Sequence, residues 1–266
     1  MILETKPQNI DEYKKWLLDK HGVTISSKTQ AYYDSVALKV KQEYENSTFW
    51  SEIGQNLAIY DEEYLTRTGY HLLTSMTMPN LEMKKFDSFL LKAFRKNIIN
   101  NDHYPDPPSE EGWILPDSWF SQINDTVRTT MVVKYLDGVD FMKNKIGSLC
   151  DQHKMDFKCF LEAREEGYYA AHLYTIREFE IPTETWDTRK VPIQIEIQVT
   201  TQLQEVIKRL LHKYFEARRT LVGSKDLKWQ WDYKSDEFIA NYLGHILHYV
   251  EGMIMEVRDR QGRKEP

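Results

Sequence analysis

The sequence predicts an α/β fold, a β-sheet covered by helices, and three features predict it. Apolar residues of roughly the first hundred positions recur at helical spacings, a proline-rich run then breaks regular structure, and beyond it β-branched runs alternate with helical ones.

From Asp11 to about Asn97 long side chains dominate and no proline occurs before Pro79, while Tyr13, Trp16, Leu17, Val36, Leu38 and Val40 fall mostly at helical spacings. Ser26-Ser27 and Ser47-Thr48 offer N-cap chemistry for new helices, and Lys84 to Asn97 reads as one more. Pro105, Pro107, Pro108, Gly112 and Pro116 make residues 100–119 a long surface connection. Thr129 to Tyr135 then reads as a strand, Val139 to His153 as a helix, Tyr169 to Ile181 as a strand and Thr183 to Arg189 as a turn. In the next strand Ile193, Ile195, Ile197 and Val199 point one way, and Gln194, Glu196, Gln198 and Thr200 the other. An amphipathic helix from Gln202 to about Arg219 follows, then a helix from Ser235 to about Arg258 and a frayed tail to Pro266. This divides the chain into a helical N-terminal region (1–78), a core (79–220) and a C-terminal helical extension (221–266).

With 41% hydrophobic and 29% charged residues the chain is globular, and its net charge of −6 is not the basic footprint of a general nucleic-acid binder. Cys150 and Cys159 are too few for a disulfide scaffold and lack the spacing of a zinc site, which fits buried thiols in a reducing cytosol. No signal pattern or membrane-spanning stretch is present, so the expectation is a cytoplasmic protein with no membrane partner.

Chemistry on nucleotide phosphates needs cations for the phosphates, carboxylates for magnesium and a platform that aims an acceptor, and the sequence offers a candidate segment for each. Lys84, Ser88 and Lys92 recur every four residues with Arg95 three further on, so a helix would present them on one face; a solvated basic face has the same spacing. Asp125 and Glu196 each lie at or inside a strand, and on neighbouring strands their carboxylates would share one Mg2+; alone, each also suits an ordinary turn or a same-face ion pair. In Gly167-Tyr168-Tyr169-Ala170-Ala171-His172 a tyrosine opens a strand behind a glycine, with His172 on its face and Arg164 just upstream.

These segments, in this order, resemble the synthetase domain of the RelA/SpoT family. The correspondence comprises a K-x-x-x-S-x-x-x-K helix (Lys84, Ser88, Lys92), an aspartate before a β-branched strand (Asp125), a G-Y-x-x-x-H segment (Gly167, Tyr168, His172) and an E-x-Q strand (Glu196, Gln198) that runs into an amphipathic helix. It covers roughly residues 80 to 215. The resemblance implies a mixed, mostly antiparallel five-stranded sheet flanked by helices, similar to nucleotidyltransferases. It implies that Lys84, Ser88, Lys92 and Arg95 contact ATP phosphates and that Asp125 and Glu196 bind Mg2+, Glu196 also drawing the proton from the attacking hydroxyl. Tyr168 would stack on the acceptor base, with His172, Arg164 and Gln198 around the acceptor nucleotide. In four places the chain departs from the family pattern: Glu82 stands where an arginine is usual, Arg128 and Thr130 stand where glycine and arginine are usual, and Thr200 replaces an arginine. With neither the hydrolase domain's H-D motif nor length for regulatory C-terminal domains, the chain looks like a small stand-alone synthetase.

The activity implied is transfer of the β,γ-pyrophosphate of ATP to the 3′-hydroxyl of GDP or GTP, making (p)ppGpp. One alternative is a toxin-type member, with an antitoxin, that modifies the tRNA 3′ end or an adenine nucleotide; Lys208, Arg209, Arg218 and Arg219 would attract tRNA. Another is a catalytically silent nucleotide-binding module. A homo-oligomer is also compatible with the sequence. His245, His248 and Glu251 admit a metal bridged along a helix face, with a core-facing helix as the preferred reading; Trp229, Trp231 and Tyr233 read as an aromatic lid packed on the domain.

Overall fold

A computed structural model describes residues 6–165, 167–183, 187–211 and 229–262. The N-terminal helices are α1 (Ile10–His21), α2 (Ser27–Glu45) and α3 (Thr48–Thr68). They are followed by the short strand β1 (Glu82–Met83), α4 (Phe86–Phe94) with a π-helical continuation (Arg95–Ile99), and α5 (Trp119–Gln122). Next come β2 (Val127–Val133), α6 (Leu136–Gln152), β3 (Asp156–Ala163), β4 (Tyr169–Pro182) and β5 (Thr188–Thr201). The chain ends with α7 (Gln202–Leu210), a 3-10 turn (Trp229–Trp231) and α8 (Asp236–Gly262). The mixed five-stranded sheet has the order β1-β2-β5-β4-β3, and with helices around it the fold is α+β.

The chain divides into two compact units. One comprises Met1–Ser47, Leu81–Arg128 and Thr175–Glu196. In it Asn9 caps α1 with its side chain, and Tyr13, Trp16 and Leu17 of that helix are buried. Tyr33 of α2 packs its ring 4.4 Å from Phe89 and 5.8 Å from Phe120. Asn97 is fully buried and donates to the Tyr13 hydroxyl (2.8 Å) and the Ile114 carbonyl (2.9 Å) while accepting from the Ile114 N–H (2.9 Å). These bonds tie down the proline-rich connection: it is irregular, as expected, but Asn101, Ile114 and Trp119 are buried, so it is not a purely surface loop.

The other unit comprises Thr48–Asn80, Thr129–Tyr174 and Ile197–Pro266. Here Arg258 of α8 donates to the Tyr64 hydroxyl (2.8 Å) and pairs with Asp137, whose other oxygen accepts from Tyr64 (2.6 Å). Its guanidinium also lies 5.0 Å from the Tyr135 ring centre and 5.6 Å from that of Tyr70. The expectation of a frayed tail from Arg258 is thereby corrected as far as Gly262, because the buried guanidinium has the Asp137 carboxylate and a ring of tyrosines to hold it; residues 263–266 lie outside the described residues. Gly167 (φ 74°) approaches α8 so closely that a Cβ there would meet the Asn241 carbonyl oxygen at 2.5 Å, and one on Gly244 would meet the Gly167 oxygen at 2.4 Å.

Other expectations shift. β1 and β3 have no counterpart in the sequence reading, the first because two residues are too short to show a period and the second because its apolar residues are only half-buried or exposed and show no clear alternation. Along β5 both faces are buried from Ile195 onward, since the strand sits in the middle of the sheet. The helix expected over 202–219 is seen to Leu210; residues 212–219 lie outside the described residues, as do 184–186 of the expected turn, while Thr188 and Arg189, expected in that turn, open β5 because the central strand extends back along its neighbours. Trp229 stacks on His245, but Trp231 and Tyr233 are exposed, so the three do not form a packed lid. No helix among the described residues is long and apolar enough to cross a membrane.

Candidate functional site

In the first unit, β1 pairs antiparallel with β2 in the register Glu82↔Arg128 and Met83↔Val127. One step further Lys84 donates its N–H to the Thr126 carbonyl (2.9 Å), and its own carbonyl accepts from the Tyr33 hydroxyl (2.7 Å). With its backbone held at both ends, Lys84 lies before α4 and not on it, which corrects the expected shared helical face. Its ammonium nevertheless reaches Asp125 Oδ2 at 2.8 Å, while Lys92 of α4 lies 3.0 Å from Asp125 Oδ1 and donates to Asn124 Oδ1 at 2.8 Å. Ser88 is exposed on α4, and Arg95 opens the π-helical segment, half-buried.

Asp125 is 8% exposed. Burial alone would raise its carboxyl, but the Lys92 and Lys84 ammoniums outweigh that and bring it down to about 2. Lys84 itself is shifted down, because its burial exceeds the attraction of a carboxylate it shares with Lys92. Lys96, which donates to the Gln122 carbonyl (2.9 Å), is shifted down by burial and then by Lys92. The sequence reading passed over Lys96, although it continues the four-residue spacing from Lys92. Glu196 is buried (3% exposed) in β5, and β5 is the sheet neighbour of β2, which Asp125 precedes. The expected neighbourhood of those two strands therefore holds.

Two buried carboxylates suit a magnesium ion whose remaining ligands are water and substrate phosphates, and no group of three or more His, Cys, Asp or Glu with metal-binding geometry occurs among the described residues. Oδ1 of Asp125 has an ion pair but no directed hydrogen bond, which suits an oxygen able to exchange a lysine for a metal.

In the second unit Tyr168 immediately precedes β4, and its hydroxyl lies 3.2 Å from His172 Nε2. The same nitrogen lies 3.3 Å from Glu162 Oε2, and Glu162 pairs with Arg164 at 2.7 Å. The Arg164 guanidinium is 5.6 Å from the Tyr168 ring centre, a cation–π contact that covers the ring. Glu162 is a member of this cluster that the sequence reading missed; the unrecognised strand β3 carries it. Gln198 accepts from Lys208 (3.2 Å), which also reaches the Thr130 hydroxyl (3.4 Å). Lys208 thus brings a cation from α7 to Thr130, one of the positions where the family pattern has an arginine. Two further departures, Glu82 and Arg128, are cross-strand partners of opposite charge. His245 bonds the Tyr169 hydroxyl (2.9 Å) and the Glu165 carbonyl (2.8 Å), and His248 stacks on Tyr169 at 3.6 Å.

No family model matches the chain, and neither does any curated protein. Among solved structures, the small alarmone synthetase 1 from Bacillus subtilis is 12% identical with a TM-score of 0.50, covering 95% of this chain and 99% of that one. The small alarmone synthetase 2 from Bacillus subtilis is 16% identical with a TM-score of 0.47 over 79% of this chain and 93% of that one. A GTP pyrophosphokinase family protein from Streptococcus pneumoniae is 14% identical with a TM-score of 0.47 over 96% and 98% respectively. At 12% identity the likeness to the small alarmone synthetase 1, with its TM-score of 0.50, speaks for architecture alone, and the architecture shared is the α+β fold.

Proposed function

We propose that the protein is a Mg2+-dependent pyrophosphotransferase that moves the β,γ-pyrophosphate of ATP to the 3′-hydroxyl of GDP or GTP. The observation that carries this reading is the convergence of Lys84 and Lys92 on the buried, ionised Asp125, at the start of a strand whose neighbour carries Glu196. Donor phosphates would draw both ammoniums from Asp125, which frees the carboxylate for metal as the ammoniums find oxygens of higher charge. Asp125 and Glu196 would hold the Mg2+, which supplies charge neutralisation at the phosphates. Lys96 adds a third ammonium beside Lys92, and Ser88 and Arg95 extend the donor side.

Tyr168, with His172, Arg164 and Gln198, is the acceptor group. A base would take the place of Arg164 on the Tyr168 ring, releasing the guanidinium to acceptor phosphates. Glu196 takes the proton from the 3′-hydroxyl as its oxygen bonds to the β-phosphorus, and the bond from that phosphorus to the α-phosphate oxygen breaks, with AMP leaving. The fold supports the reading as analogy, since the Bacillus subtilis protein that shares it is named a small alarmone synthetase. No specific observation favours a tRNA acceptor: Lys208 and Arg209 both pair with Glu205, and Arg218 and Arg219 lie outside the described residues.

Incubating the protein with labelled ATP, Mg2+ and, separately, GDP, GTP, ATP or tRNA tests the proposal. Label should move to GDP or GTP; label on tRNA alone would replace this reading with the tRNA-modifying one.

A further inference from the structure

Strand β3 ends the sheet, and no residue along it is buried. It is eight residues long, contains neither proline nor glycine, and exposes Phe160 (56%) and Leu161 (64%). Exposed edges of natural sheets are usually short, kinked or covered, because a row of unpaired N–H and C=O groups recruits another strand. Among the described residues this edge is neither short nor interrupted by proline or glycine, and its charges, Asp156, Lys158 and Glu162, limit what can pair with it. Beside it a groove of ≈ 640 Å3 runs between α6 and the strand, lined by Lys143, Gly147 and Asp151 on one side and Phe157, Cys159 and Leu161 on the other.

The phase of the strand decides what can pair with it. Arg164 donates its N–H to the Tyr168 carbonyl at the turn into β4, so by alternation Asp156, Lys158, Phe160 and Glu162 turn their backbone groups toward β4. Phe157, Cys159, Leu161 and Ala163 turn theirs outward. A second copy of the strand, antiparallel about a two-fold axis, can therefore centre on Cys159, Phe160 or Leu161 with its outward groups matched. Centring on Cys159 sets Asp156 against Glu162, and centring on Leu161 sets Lys158 against Arg164; both oppose like charges. Centring on Phe160 sets Asp156 against Arg164 and Lys158 against Glu162, each pair formed twice by symmetry. Within the chain Glu162 already pairs with Arg164 at 2.7 Å, so the charges of the two copies would alternate along one face of the joined strands.

We infer that β3 is a homodimer edge: two copies pair antiparallel with Phe160 opposite Phe160, making one continuous sheet. On the other face Cys159 meets Leu161 of the second copy, which brings that leucine to the groove. This surface uses neither the lysines nor the carboxylates of the proposed donor site, and it shares Glu162 and Arg164 with the proposed acceptor group.

Sedimentation of the full chain over a range of concentrations tests it. Wild type should sediment as a dimer; Lys158→Glu, which sets Glu against Glu162 twice, should weaken association about tenfold or more. The double exchange Lys158→Glu with Glu162→Lys should restore it. Leu161→Pro removes an outward N–H that β4 does not use and should also yield monomer, with circular dichroism confirming the fold. In a Cys159→Ser background, Phe160→Cys should oxidise to a covalent dimer. A wild type that stays monomeric at every concentration, or a dimer indifferent to Lys158→Glu and to Leu161→Pro, overturns the inference.

Discussion

Lys84 stands outside the helix that carries Lys92, yet the two ammoniums close on opposite oxygens of Asp125, at 2.8 and 3.0 Å. The two-residue ladder of β1 on β2 achieves this, by placing Lys84 one step beyond Met83↔Val127 and beside the residue that precedes Thr126. The charge cluster is therefore as much a feature of folding as of chemistry.

Asp125→Asn should destabilise the protein by about 3 kcal/mol, because it leaves Lys84 buried beside Lys92 without a counter-charge. Urea unfolding measures this. Loss of activity in that variant accordingly reports stability as well as chemistry, and Glu196→Gln is the cleaner probe of the carboxylates.

The depressed carboxyl of Asp125 also sets an acid limit. Its folded value, about 2, lies below its unfolded value, so its contribution is fully present above about pH 4 and is lost as pH falls through 2. The contribution is about 2 kcal/mol, and it should vanish from the acid stability profile of Asp125→Asn.

Gly244→Ala should lower stability by about 1–3 kcal/mol, since its Cβ would fall 2.4 Å from the Gly167 backbone oxygen. Gly252→Ala on the same helix meets nothing within 4 Å and should raise stability by about 0.5–1 kcal/mol. Thermal melts of the two variants should move in opposite directions.

Substrate dependence should separate the two groups of side chains. Lys92→Ala should raise the KM for ATP about tenfold or more by removing charge-assisted phosphate contacts, with little effect on the acceptor KM. Tyr168→Ala should do the reverse, raising the acceptor KM roughly five- to hundredfold through loss of a stacking contact. Steady-state kinetics with each substrate varied in turn distinguishes these outcomes.

Legibility in the sequence followed the strength of local periodicity. The helical character of α1 to α3 was readable though not their separate ends, the strands β2 and β4 and the helix α6 were readable within a few residues, and β5 was read from Ile193 although it begins at Thr188. Strand β3 was hidden because no residue along it is fully buried, and with it went Glu162, whose role beside His172 depends on a cross-strand contact. The tail was misread because Arg258 looks like a solvated charge until Asp137 and Tyr64, over a hundred residues earlier, are brought to it. Lys84, Lys92 and Asp125 were all named from the sequence, but their pairing arises from a two-residue strand that shows no period. The departures at Glu82 and Arg128 looked unrelated in the sequence and become partners only through that same strand.

The most direct measurement of the central claim is the identity of the adenine product when wild-type protein turns over ATP with GDP or GTP in the presence of Mg2+. Pyrophosphoryl transfer predicts one AMP for each acceptor molecule modified, with the β- and γ-phosphates of ATP both recovered on the acceptor, and Glu196→Gln should suppress the two together. Release of ADP with a single phosphate transferred, or an acceptor left unmodified while ATP is consumed, would contradict it.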